Sequence, residues 1–405
     1  MTEETTASGT GQGGFPRPGL RMRARDPAEP HRASTPLELF FDLCFVVAVS
    51  QAGGRLVHAL AEGEPAHGIT GYLVVFFAIW WAWVNFSWFA SAYDTDDVVY
   101  RIATLVQIAG VLVLAAGVPR AFDHADYAVA IVGYLIMRAV LTLQWLRAAR
   151  SETGAARTTA RRYAAGLVLV QIGWVVLLLL PGAAWKWGFV PMAAADMAVP
   201  AYAEHRHRTP WHPHHIAERY GLFTIIMLGE TVAAATVAVQ SAVDESAALG
   251  ELLPIAAGGL VIVFGAYWIY FAVPIHEHLA SNRQAFLWGY GHYLVFGSAA
   301  AIGSGIEVTV EEVTGHTDIP AVAAAATVTV PTALFLLTVW LLHSRHFKRG
   351  PAQRAVLPVS VPLVLAATFA GNRAVPLAGL VVAVTVAVGV GLAHRAAAAS
   401  PGHEQ

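Results

Sequence analysis

Apolar residues run through this chain in blocks separated by short polar breaks. A block of about 20 such residues crosses a hydrocarbon core as an α-helix. On that reading the sequence predicts twelve spans, near 37–58, 70–92, 98–118, 127–147, 163–181, 186–203, 217–240, 253–274, 285–306, 321–343, 355–371 and 374–394. The expected fold is all-α: a polytopic transmembrane helical bundle of about 12 spans. A β-barrel would need short alternating strands instead. The breaks are too short for an extramembrane domain. Residues 1–35 are polar and rich in Thr, Gly, Pro and Arg, and read as a disordered basic cytoplasmic tail. No apolar stretch precedes residue 36, so a cleaved signal peptide is not expected. Residues 36–395 form the helical domain, and 396–405 read as a second disordered tail.

Composition agrees with the pattern. Hydrophobic residues make up 56% of the chain and charged residues 13%, against roughly half and a quarter in soluble domains. The net charge of −2 implies no nucleic-acid partner. The single cysteine, Cys44, lies inside the first span, so no intrachain disulfide is expected and Cys44 reads as a packing residue. Arg far outnumbers Lys and Ala is abundant, the composition of a GC-rich bacterial gene. Basic residues also orient the chain. With the N-terminus inside, 20 Arg and Lys fall on the inner side and only Arg55, Arg120, Lys186 and Arg373 on the outer. Both termini are therefore expected on the cytoplasmic side of a bacterial inner membrane.

Twelve spans divide into two sets of six, 36–203 and 216–395. Spans 1 and 7 each open on an acid, Glu38 and Glu218, and in that register Ser50 aligns with Glu230. Trp80, Trp81 and Trp83 of span 2 have a thinner counterpart in Tyr267, Trp268 and Tyr270 of span 8. An even offset gives two parallel six-helix repeats, one of the symmetries known in transporters. Identity between the halves is slight, so the repeat and an unrepeated bundle both stay open.

Ionisable groups at membrane depth are the candidate chemistry, because they are costly there and face the protein interior or a water path. Glu38 and Asp42 stand one helical turn apart on one face of span 1, near its cytoplasmic end. Glu38 suits an ordinary acidic helix start. Asp42, among Phe40, Phe41, Leu43 and Phe45, calls for a partner or a proton. Glu230 lies about 18 Å along span 7 from Glu218, near the bilayer centre. Asp196 sits in span 6 between Pro191 and Pro200. Pro200 would free the Asp196 carbonyl, so a broken helix that coordinates a cation and a simple kink with a bonded side chain are both open. Arg138 is the one base near the middle of a span and should pair with Asp196, Glu230 or Asp42. His292 is either a proton relay or a hydrogen-bonded packing residue. The loop 205–215 carries five imidazoles, but its prolines and the lack of cysteine favour a solvated basic loop over a metal site. No cofactor, metal centre or enzyme motif is expected.

Leu37-Glu38-Leu39-Phe40-Phe41-Asp42-Leu43-Cys44-Phe45-Val46 resembles the opening motif of the bacterial low temperature requirement A family. The segment from His215 through Ala217-Glu218-Arg219-Tyr220-Gly221 to Leu228-Gly229-Glu230 resembles its second motif. Cys44 departs from the Val commoner at that place. The likeness extends over nearly the whole chain after residue 33. It implies a polytopic inner-membrane protein and brings no catalytic residues with it. Its motif acids are Glu38, Asp42, Glu218 and Glu230, the ones that the membrane-cost argument selects.

Taken together, these features point first to a secondary transporter of a small solute coupled to protons or cations. The alternative is a non-transporting sensor or scaffold linked to stress or cold adaptation. An intramembrane enzyme acting on lipid ranks third. The expected partners are the bilayer and a small solute or ion, and nothing in the sequence sets an oligomeric state.

Overall fold

The apolar blocks fold as helices. The computed structural model describes residues 21–26, 29, 33–93, 95–244, 249–348 and 350–398. Its long helices are α1 (Pro36–Ala61), α2 (Pro65–Ala92), α3 (Val98–His124), α4 (Ala128–Ser151), α5 (Gly154–Leu179), α6 (Gly182–Glu204), α7 (Pro213–Asp244), α8 (Leu249–Tyr270), α9 (Asn282–Val313), α10 (Ala321–Val339), α11 (Pro351–Ala367) and α12 (Ala374–Ala398). Each expected span coincides with one of them. The bulk of the expected N-terminal tail, and residues 399–405 of the C-terminal one, lie outside the described residues.

Among the described residues, 10 helical runs are long and apolar enough to cross a membrane. The last, Pro351–Ala396, has 46 residues, and as one straight helix it would measure about 69 Å. It is instead α11 and α12 folded back at Gly371, where φ 58° and ψ −128° suit only glycine. Gln353 near the start of α11 donates to the Leu392 carbonyl near the end of α12, at 3.2 Å, so the two are antiparallel. Helix α6 is not among the ten. It carries Lys186 and Asp196, yet it stays helical through Pro191 and Pro200 and packs on α5. The expected count of about 12 thus agrees approximately.

Both halves have the same neighbour order. Helix α1 packs on α2 and α3, then α3 on α4, α4 on α5 and α5 on α6. Likewise α7 packs on α8 and α9, then α9 on α10, α10 on α11 and α11 on α12. Six-span repeats would produce this arrangement. In each half the third and fourth helices meet at backbone distance across glycine, as small residues permit in membranes. A Cβ on Gly117 of α3 would lie 2.5 Å from the Ala130 nitrogen, and one on Gly305 of α9 would overlap the Thr327 carbonyl. The halves differ in that α8 also packs along α12.

The halves join where α1 meets α7 and α9, and where α2 meets α7 and α9. Helices α2 and α9 are buried over most of their apolar length. Trp80, Trp81 and Trp83 of α2 are fully enclosed, and Trp83 stacks on Phe223 of α7 at 4.3 Å. A short N-terminal strap closes the α2 end: Arg25 donates from its backbone to Ala92 and from Nη2 to Ala90, both at 3.0 Å.

Candidate functional site

Helix α1 starts with a capping box. Thr35 Oγ1 accepts from the Glu38 amide at 3.3 Å, and Glu38 Oε2 accepts from the Thr35 amide at 2.7 Å. Pro36 follows at the first helical position. The cap turns Glu38 inward toward α7, where His215 Nε2 lies 3.4 Å and Arg219 Nη1 3.5 Å from its carboxylate. One turn on, Asp42 Oδ1 accepts from Arg219 Nη2 at 2.5 Å and from Trp83 Nε1 at 2.7 Å. Ser87 Oγ accepts from the same guanidinium at 3.2 Å. Asp42, His215 and Arg219 are all 0% exposed. Glu38, Asp42 and Arg219 sum to −1, and protonation of His215 would bring the cluster to neutrality. The network is unfinished: Asp42 Oδ2, Arg219 Nε and Nη1 and His215 Nδ1 are buried without hydrogen-bond partners.

The second charged centre lies within the first half; its carboxylate is bonded at both oxygens, although Arg138 Nη1 has no hydrogen-bond partner. Arg138 Nη2 donates to both Asp196 oxygens, at 2.8 and 3.0 Å. Trp81 Nε1 donates to Oδ1 at 2.7 Å and Trp174 Nε1 to Oδ2 at 3.0 Å. The Tyr134 ring lies 5.2 Å from the guanidinium carbon. Of the three acids open to Arg138, the fold selects Asp196. Of the two readings of Asp196, it presents the bonded side chain on a continuous helix.

The third centre is a polar cavity of about 100 Å³ between α1, α7 and α9. Glu230 and Glu307 line it with Ser50, Gly53, Gly54, Gly303 and Ser304. Ser50, the residue with which the repeat register aligns Glu230, faces the same cavity. Ser304 Oγ donates to the Gly53 carbonyl at 3.3 Å, and Gly303 lets α9 approach the Glu230 backbone. Among the described residues, neither carboxylate has a cationic side chain within 4 Å.

The remaining expected residues lie elsewhere. His292 Nδ1 donates to the Trp288 carbonyl at 2.8 Å, and its Nε2 accepts from the Tyr270 hydroxyl at 2.9 Å. A carbonyl can only accept, which assigns the tautomer and leaves this imidazole hydrogen-bonded on both sides. Glu218 Oε1 accepts from the Ser34 amide at 3.2 Å and ties the strap to α7. In the loop 205–215, His212 and His215 are buried rather than solvated, and His212 Nε2 meets the Glu29 carbonyl at 2.7 Å.

Four functional candidates escaped the sequence reading. Arg219 counted only as an inner-side base at the start of span 7, although with His215 it repeats the one-turn spacing of Glu38 and Asp42. Glu307 fell one residue beyond the expected end of its span. Glu204 is buried under Tyr163, Thr209 and Asn282, which donate at 2.7, 2.6 and 2.6 Å. No sequence signal set it apart from the loop that follows.

A family model, bacterial low temperature requirement A protein (LtrA), matches residues 33–392. An uncharacterized protein of Rhizobium meliloti (strain 1021) is 31% identical over 209 residues, which cover 50% of each chain. The chain therefore matches about half the length of that curated relative. Two motif segments, one on α1 and one on α7, meet at the Asp42–Arg219 contact, and the family match runs unbroken across both. The chain belongs to the bacterial low temperature requirement A family.

Proposed function

We propose that this protein is a secondary transporter of a small solute, coupled to protons or cations. One observation carries the reading: Glu230 and Glu307 share a polar cavity at the junction of the two halves. Carriers built from repeats place their coupling sites at such junctions near the midplane. Glu230 stands 17 residues into the 32-residue α7, about 25 Å along it. On this reading Glu230 and Glu307 exchange the proton or cation. Glu38, Asp42, His215 and Arg219 form the inner gate where α1 meets α7. Arg138–Asp196 is a fixed counter-charge, and Glu218 and His292 support the helices that flank the path. The chain catalyses no covalent step and lies in the cytoplasmic membrane with both termini inside, as the 20-to-4 distribution of basic residues supports.

The test is flux in proteoliposomes that hold a pH-sensitive dye, driven by proton, Na⁺ or K⁺ gradients with a panel of small solutes. Wild-type protein should move protons or cations, and Glu230→Gln should abolish that movement with its melting temperature unchanged. Absence of any gradient-driven movement would remove the transport reading. A second reading, a non-transporting membrane scaffold, draws on Arg138–Asp196, whose carboxylate is fully occupied and private to one half. It predicts that every loss of phenotype follows a loss of stability.

A further inference from the structure

Helices α8 and α11 both pack on α12, which leaves a groove of about 420 Å³ between them with α12 as its floor. Along that floor it runs from Thr385 to Ala393, eight residues or about 12 Å. Val386 and Val390 make the floor apolar, and on the α8 wall Trp268 and Phe271 are 55% and 41% exposed. The end of the groove nearest the helix termini is polar, lined by Ser344, Lys348 and Gln353. This polar end is held in place. Beyond α10 the helix widens into a π-helical turn, Trp340–Ser344, a form common at functional sites. The Ser344 carbonyl accepts from the Lys348 amide at 3.0 Å, and the Lys348 carbonyl accepts from Arg354 Nε at 2.8 Å. Trp340 Nε1 in turn donates to the Arg354 carbonyl at 3.0 Å. The backbone at Lys348 is thus fixed from both sides, and its half-buried side chain lines the groove.

Charge selects the occupant. The chain holds no Asp or Glu between Asp318 and Glu404, so α10, α11 and α12 bring Arg345, Lys348, Arg354 and Arg395 to this end and no acid. The single acid of α8, Glu251, lies at its opposite end. Glu277, the next acid along the chain, is not on the groove's wall. A zwitterionic headgroup would bring its ammonium here and find no carboxylate, whereas an anionic one finds matching charge. Trp268 and Tyr267 beside the polar end suit the boundary between headgroups and hydrocarbon. The floor also has room for a chain, since a Cβ on Gly389 would meet nothing within 4 Å. We propose that the groove binds an anionic phospholipid. Its phosphate sits at the Lys348 ammonium and the Ser344 hydroxyl, and an acyl chain lies along Val386, Gly389 and Val390. This site is separate from the Glu230 cavity and stands whether or not the protein transports.

The experiment titrates dioleoylphosphatidylglycerol, against dioleoylphosphatidylcholine, into the full-length protein in detergent micelles and counts bound lipid by native mass spectrometry. Wild-type protein should retain the anionic lipid saturably and in preference to the zwitterionic one. Lys348→Gln should weaken that retention about fivefold, and Lys348→Arg should keep it. Gly389→Leu puts a side chain into the open floor and should expel the lipid. Its melting temperature should hold or rise, because leucine suits a helix better than glycine. Glycerol phosphate, which has the anion and no acyl chain, should not compete. Equal retention of the two lipids, or undiminished retention in folded Lys348→Gln or folded Gly389→Leu, would overturn the proposal. Displacement by glycerol phosphate would do the same and make the ligand a free phosphate ester. So would disulfide cross-linking of Trp268→Cys between two copies, because a second chain would then cover the groove.

Discussion

Two buried arginine–aspartate pairs divide this molecule. Arg138 and Asp196 lie in one half, and both carboxylate oxygens are taken up by the guanidinium and two indoles. Arg219 and Asp42 join the two halves, and there one carboxylate oxygen and two guanidinium nitrogens lack hydrogen bonds. A carboxylate bonded at both oxygens fixes one arrangement, whereas one with an unbonded oxygen keeps a rival arrangement close in energy. The same two residue types therefore build a lock in one place and a joint that can open in the other. The position of each pair fits that division. A lock inside one half does not hinder relative motion of the halves, and a lock between them would.

The largest effect should come from breaking the pair whose carboxylate is fully bonded. Asp196→Ala leaves a buried guanidinium and two indole N–H groups unmatched and should cost about 3–5 kcal/mol. Thermal denaturation in nanodiscs would read this as a large drop in melting temperature or as failure to recover folded protein. The paired change Arg138→Met with Asp196→Leu should restore most of the loss, since an apolar pair of similar volume replaces the ions. A mild Asp196→Ala would show that the first pair is no lock.

Asp42→Asn should cost less, about 1–3 kcal/mol. Asn keeps an acceptor for Trp83, and Glu38 remains 3.5 Å from Arg219. Its effect on flux should nevertheless exceed that of any substitution at Asp196 that still folds, because it alters the joint. If Asp42→Asn keeps full flux in proteoliposomes, the α1–α7 contact is not a gate.

Glu230→Gln and Glu307→Gln come next. Both side chains are partly exposed and unpaired with a cation, so each should shift stability by about 0.5 kcal/mol or less. Flux should fall to background in Glu230→Gln and strongly in Glu307→Gln. Unfolding of either variant would place these acids with the locks instead.

Much of the fold was legible because membrane thickness imposes a length that apolar blocks display directly. The repeat showed only at its edges, through Glu38 against Glu218 and Ser50 against Glu230, because lipid-facing positions accept any apolar residue. The acids of the site were legible for the opposite reason: each stands out against an apolar background. Their partners were not. Depth left three acids open to Arg138, and only packing of α4 on α5 and α5 on α6 decides for Asp196. The indole donors Trp81, Trp83 and Trp174 count as apolar in any hydropathy pattern, yet each holds a carboxylate. Arg219 was hidden by a boundary. Helix α7 begins at Pro213 rather than 217, which moves Arg219 from the first turn to the second.

His215 gives the smallest effect and the finest test of the joint. Its Nε2 lies 3.4 Å from Glu38, a long contact, so His215→Gln should change stability by only about 0.5–1 kcal/mol. Gln can still donate to Glu38, so the geometry is retained while the titratable charge is removed. Protonated His215 takes the cluster from −1 to 0 and tightens α7 on Glu38, which favours the closed joint. Flux through the wild type should therefore fall as acidification protonates His215. The variant should lose that dependence and keep the part due to Glu230 and Glu307. Identical pH profiles for the two proteins, measured in the same liposomes, would mean that His215 only packs and that the joint does not sense protons.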